Sequence, residues 1–180
     1  MDVDINAMIR AIQEGYAKKD PTMPREQLGQ ALDQFTRKMA DQEKAEFDRV
    51  SRENKSKSDA FLAANKAKPG VVSLPSGVQY RVIEPGTGAK PTANSTMSLT
   101  LRASLPSGQA LGETNGEPST VKMSELGPEM AGVKEALMQM PAGSRWEIYV
   151  PASKAYGDNP RSPVGPNQAL VFEIRLVSVN

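Results

Sequence analysis

The chain has 180 residues, 38% apolar and 24% charged, with a formal net charge of +1 and neither cysteine nor histidine. Such a length suits one large domain or an ordinary domain with an appendage. Residues 1–68 carry 13 basic and 12 acidic side chains and the remainder 9 of each, so nothing steers the chain toward nucleic acid or acidic lipid.

Disulfides, thiol nucleophiles, imidazole bases and every common zinc site except an all-carboxylate one are excluded; no metal and no cofactor is expected. No run of about 18 apolar residues exists to span a membrane. The start, "MDVDINAM", lacks the basic-then-apolar pattern of a secretory signal. A cytosolic protein and a mature exported chain stripped of its leader both fit.

In "DINAMIRAIQEGYAKKD" the apolar residues Ile5, Met8, Ile9, Ile12 and Tyr16 recur at three- and four-residue steps, which predicts one face of a helix ending near Lys18 to Asp20. Pro21 and Pro24 punctuate, with Thr22 placed to cap the next helix. From Arg25 to Lys66 there is no proline and a single glycine, Gly29, so one helix of roughly 60 Å is expected. Its first part carries the stripe Leu28, Leu32 (or Ala31), Phe35 and Met39, which continues weakly through Phe47 and Val50. Beyond Val50, "SRENKSKSDA" is polar all round, with Asp48–Arg52 and Glu53–Lys57 at the favourable four-residue spacing; a helix that buries little there acts as a spacer. Two short helices cannot enclose a useful core, so their stripes are expected to meet a second copy, giving a homodimer. A monomeric helical hairpin is the alternative.

Pro69 and Gly70 in "NKAKPGVVSLPSG" stop the helix. Alternating apolar residues then predict strands at Val78–Val82, Leu99–Leu105, Val121–Met123, Trp146–Val150 and Leu170–Leu176. One helix interrupts them, "GPEMAGVKEALMQM", with Met130, Val133, Leu137 and Met140 on one face. The expected organisation is a helical dimerisation module over 1–45, continuation of the long helix over 46–68, a linker over 69–77 and a domain over 78–180. Strands with one apolar face and one covering helix make that domain α+β, with a half-wrapped antiparallel sheet.

The order of "LPSGVQYRVIEPGTGAKP", "EALMQMPAGSRWEIYVPASKAYGDN" and "VGPNQALVFEIRLVSV" resembles the FKBP family of peptidyl-prolyl isomerases. The long helix with "AFLAANKAKPGVVSLPSGVQYRV" is similar to the macrophage infectivity potentiator (Mip) branch. The resemblance implies a five- or six-stranded antiparallel sheet wrapped around a short helix, and a long free-standing helix leading to a Met-rich dimerisation module. It also implies a periplasmic or outer-surface location in a Gram-negative bacterium, and proline-containing or unfolded polypeptides as clients.

Rotation about a prolyl bond needs neither acid nor base, because the barrier of about 18–20 kcal/mol comes from amide resonance. A catalyst must hold the ring in an apolar pocket and favour the twisted amide with fixed donors. The resemblance implies a pocket with a tryptophan floor, aromatic walls, an aspartate, a tyrosine in "AYG" and a phenylalanine on the last strand. Tyr156 and Phe172 match that pattern, although Tyr156 can equally be an ordinary core tyrosine and a phenylalanine such as Phe172 is more often core. The first wall tyrosine falls on Leu101, the next phenylalanine and the aspartate on Leu111 and Gly112, a further phenylalanine on Val121, and the tryptophan on Val133. Met130 precedes that position, and Val164 lies on the flap "YGDNPRSPVGPNQ". Glu113 adjoins the missing aspartate, but a one-residue shift on a strand points it to the opposite face. Four aromatics replaced by Leu or Val, each of which would bury about 150–250 Å², imply weak isomerase activity; the alternative is a non-catalytic FKBP-fold chaperone or adaptor.

Overall fold

The computed structural model describes residues 5–17, 24–114 and 116–180, leaving out the side chains at 5–8, 11, 25 and 28. The expectations for the side chains of Ile5, Met8 and Leu28, for a helix end near Lys18 to Asp20 and for a Thr22 cap fall outside the described residues. The chain divides into two compact units, Met1–Glu46 and Phe47–Asn180.

The first unit holds α1 (Ile5–Tyr16) and the beginning of α2 (Arg25–Lys66). Their described apolar side chains stay open, from 43% exposed at Met39 to 93% at Tyr16. Ile9, Ile12, Leu32 and Phe35 lie between those limits, so the described members of the two stripes are not buried against each other.

The second unit is a seven-stranded sheet in the order β1-β2-β6-β7-β3-β4, with β5 also paired to β3. The strands are β1 (Val71–Ser73), β2 (Gln79–Glu84), β3 (Thr96–Ser104), β4 (Ala110–Glu113), β5 (Ser119–Lys122), β6 (Arg145–Val150) and β7 (Leu170–Val179). Each pairing is antiparallel. The segment read as linker thus supplies β1, whose three residues are too few to show alternation. β3 is the spine, with β7 along one side and β5 then β4 along the other. Between those two, Thr114 closes the gap: its amide donates to the Leu101 carbonyl (2.8 Å), and its Oγ1 accepts from the Leu101 amide (3.1 Å).

Alternation puts Met97 and Leu99 of β3, Trp146 and Ile148 of β6, and Phe172 and Ile174 of β7 on one buried face. Helix α3 (Ala131–Leu137) covers that face with Val133, Ala136 and Leu137. Gly132 permits the close approach, because a Cβ there would stand 2.5 Å from Val150 Cγ1.

One end of the other face is covered as well, which corrects the expectation of a free-standing spacer, while Arg81, Arg102, Glu173 and Arg175 leave the rest of that face open, as a half-wrapped sheet requires. The second half of α2 docks on it through small polar side chains: Ser58 and Asn65 are 4% and 0% exposed. Asn65 Nδ2 donates to Gln79 Oε1 (3.0 Å), and Gln79 Nε2 donates to the Leu62 carbonyl (2.9 Å). The Phe61 ring lies against Tyr149, centroids 6.0 Å apart. Glu53 pairs with Arg49 rather than Lys57, and Lys55 pairs with Asp59.

Candidate functional site

The matched residues come from three parts of the fold and meet the one hydrophobic core. Phe172, on β7, is 4% exposed and Val133, on α3, is 1% exposed. Leu101, Met130, Tyr156 and Val164 pack partly buried against the same cluster. Tyr156 follows the short 3-10 turn Ala152–Lys154, and Val164 reaches the cluster from the loop beyond it.

That loop is closed by the Asn167 amide donating to the Gly157 carbonyl (2.6 Å). Asn167 is the described non-glycine residue with positive φ, 53°, a conformation asparagine tolerates better than most. Helix α2 holds it there. Ser58 Oγ donates to the Asn167 carbonyl (2.9 Å) and accepts from the Ala169 amide (2.8 Å). Asn167 Nδ2 donates to Ser51 Oγ (2.8 Å), and Asn54 Nδ2 to the Pro166 carbonyl (2.9 Å). Sequence reading missed these positioning residues because Ser51, Asn54, Ser58, Phe61 and Asn65 repeat at helical steps with only one apolar member.

The β4 side is bare. Gly112 is level with Ala103, which on its other side is level with Phe172; cross-strand partners share a face, so a side chain at 112 would look toward the cluster. A Cβ built on Gly112 meets nothing within 4 Å. Leu111 is 37% exposed and is not among the residues packed on the cluster. Val121 is half-buried on β5, level with Met97. Glu113 is level with Arg102, its carboxylate 3.9 Å from Arg102 Nε with both side chains exposed, so it faces away and supplies no substitute carboxylate.

Trp146 is 4% exposed and stacks on Tyr80, ring centroids 4.2 Å apart and planes 9° apart. On the opposite face Tyr149 donates its hydroxyl to Glu147 Oε2 (2.7 Å), which also receives Arg81 (2.7 Å). Burial, reinforced by the neighbouring carboxylate, pushes the Tyr149 phenol up to about 12. Arg81 is raised above its ordinary value, chiefly by its hydrogen bond to Glu147. Among the described residues no His, Cys, Asp or Glu cluster could hold a metal ion, and no helix is long and apolar enough to cross a membrane.

Comparison with known proteins agrees with this layout. Residues 1–82 match the model of the domain amino-terminal to FKBP-type peptidyl-prolyl isomerase, and residues 87–177 match that of the FKBP-type peptidyl-prolyl cis-trans isomerase itself. The chain is 42% identical to the outer membrane protein MIP of Legionella longbeachae, over 99% of this chain and 77% of that one. It is 34% identical to the peptidyl-prolyl cis-trans isomerase Mip of Coxiella burnetii, over 98% and 77%. Among solved structures, FkpA from Escherichia coli shares the fold across 100% of this chain and 84% of that one (TM-score 0.80, 23% identity). A peptidyl-prolyl isomerase from Pseudomonas syringae covers 72% of this chain and 96% of its own (TM-score 0.66, 31% identity). The chain therefore belongs to the FKBP-type peptidyl-prolyl isomerase family, in its Mip-like branch.

Proposed function

We propose that this chain is a Mip-like foldase that receives prolyl segments of exported polypeptides at the Tyr156–Phe172 cluster and isomerises them weakly. The observation that carries the reading is the bare position at Gly112, on the face of Phe172 and with open space before it. Leu101 and Val133 stand where the family has aromatics, so a prolyl ring meets aliphatic walls and no carboxylate. Apolar contact and desolvation remain; the polar element that would favour the twisted amide does not. The same observation supports a second reading, a chaperone or adaptor that binds clients without isomerising them.

The open stripe of Ile9, Ile12, Tyr16, Leu32, Phe35 and Met39 supports a homodimer built through residues 1–45. The names of relatives such as the L. longbeachae outer membrane protein support an exported chain, periplasmic or associated with the outer membrane.

Two assays on the full chain separate the readings: protease-coupled isomerisation of a prolyl peptide, and suppression of aggregation of a proline-free client. Slow but measurable turnover supports the foldase; background turnover with suppression supports the chaperone. In the first case Tyr156→Ala lowers turnover less than tenfold, because the site is already impaired. A larger loss, about 1.4 kcal/mol or more in the barrier, would mean that Tyr156 anchors an efficient site.

A further inference from the structure

The turn that joins β3 to β4 faces α2 across a groove outside the prolyl cluster. Two cavities make it up. One, of about 290 Å³, lies between Asn54, Lys57 and Ser58 of the helix and Pro106, Ser107 and Gln109 of the turn. The other, of about 220 Å³, is lined by Phe61, Lys68, Arg81, Glu147, Tyr149 and Val171. Both are bounded by Leu105 and Pro106. Asn54, Lys57, Ser58 and Phe61 are spaced three and four apart, so one face of the helix forms the wall.

Charge within the groove is one-sided. Glu147 is its carboxylate, and both Arg81 and the Tyr149 hydroxyl already bond it at 2.7 Å. Lys57 has no anionic partner among the described residues. Lys68 has none either; its Nζ stands 6.0 Å over the Phe61 ring. Attraction to the helix carbonyl end extends only over the last turn, and so does not account for Lys57, more than two turns back from Lys66. The cavity lined by Arg102, Arg145 and Arg175 is different. There Arg145 meets Glu84 and Glu173, Arg175 meets Glu84, and Arg102 meets Glu113, so that surface is already balanced.

We propose that this groove is a second polypeptide-binding site, for an extended acidic segment whose two carboxylates reach Lys57 and Lys68 while an apolar side chain between them rests against Phe61, Leu105 and Pro106. Helical rise puts Lys57 about 14 Å along the axis from the helix end at Lys66, with Lys68 two residues beyond that end, a span that an extended chain covers in about four or five residues at roughly 3.3 Å each. The site is distinct from the prolyl reading: Leu105 packs on the shared core, but Lys57, Phe61, Pro106 and Lys68 are not among the residues of the Tyr156–Phe172 cluster.

Fluorescence anisotropy of the full chain tests it, with a dye-labelled, proline-free octapeptide carrying two aspartates five positions apart and a leucine between them. The expected result is binding at least tenfold tighter than that of the diasparagine peptide at low salt, weakening as salt screens the charges. Replacing the leucine by serine costs threefold or more. The double variant Lys57→Glu, Lys68→Glu removes the preference for the acidic peptide while leaving circular dichroism and prolyl-peptide turnover as in the parent. Equal affinity for the two peptides, an unchanged preference in the double variant, or indifference to the leucine would each overturn the proposal. Because the probe contains no proline, these outcomes do not depend on isomerase activity.

Discussion

The two halves of α2 invert the usual relation between polarity and burial. Before Glu46, Leu32, Phe35 and Met39 are 57%, 49% and 43% exposed; after Phe47, Ser58 and Asn65 are 4% and 0% exposed. The difference lies in what each half meets. The second half lies against chain segments that offer unpaired backbone groups, and serine or asparagine satisfies these where leucine would leave them orphaned. The first half presents oily surface with nothing described to cover it, which is the pattern of an interface.

Three changes sharpen or break that contrast. The largest effect is expected from Leu32→Ser, Phe35→Ser and Met39→Ser together. At about 1.5–3 kcal/mol for each large side chain buried, they should weaken self-association by more than a thousandfold in sedimentation equilibrium, without moving the unfolding midpoint of the sheet unit. Sedimentation that still shows a dimer would reject this stripe as the interface.

Ser58→Ala comes next. It orphans the Ala169 amide, which sits in a residue 0% exposed, and should cost about 1–3 kcal/mol in urea unfolding. A loss below about 0.5 kcal/mol would mean that α2 merely rests on the sheet.

The smallest effect is alkaline. The Tyr149 phenol, at about 12 in the fold against about 10 in an unfolded chain, stays protonated longer when folded. Its contribution is therefore complete below pH 10 and is lost as pH rises from 10 toward 12. Tyr149→Phe should flatten that decline, and an unchanged alkaline slope would place its cause elsewhere.

Legibility in the sequence followed the same divide. The apolar steps of Ile9, Ile12, Leu32 and Phe35 and the alternation of Leu99 to Leu105 and Leu170 to Leu176 announced helices and strands, because periodicity is read from apolar residues. The stripe Ser51, Asn54, Ser58, Phe61, Asn65 has helical periodicity too, yet its polarity resembles that of a solvated face, so the docking of α2 was not legible. β1 was too short to be seen. Leu101, Met130, Tyr156 and Val164 pack against the hydrophobic core that holds Phe172 and Val133, while Leu111 does not. Leu111 adjoins Gly112, which is level with Ala103 and looks toward the core, and neighbours on a strand point to opposite faces.

The central claim is that the scaffold for twisting prolyl bonds is intact while one side of its lining has become aliphatic and bare. Prolyl-peptide isomerisation by the full chain, measured beside Leu101→Tyr combined with Gly112→Asp, tests this most directly. Both positions have room, Leu101 being partly exposed and Gly112 facing open space, whereas a tryptophan at Val133, 1% exposed, would overfill the core. Slow but measurable turnover in the parent and at least tenfold faster turnover in the double variant is the expected result. A parent that already turns over rapidly, with no gain from the restored side chains, would contradict it.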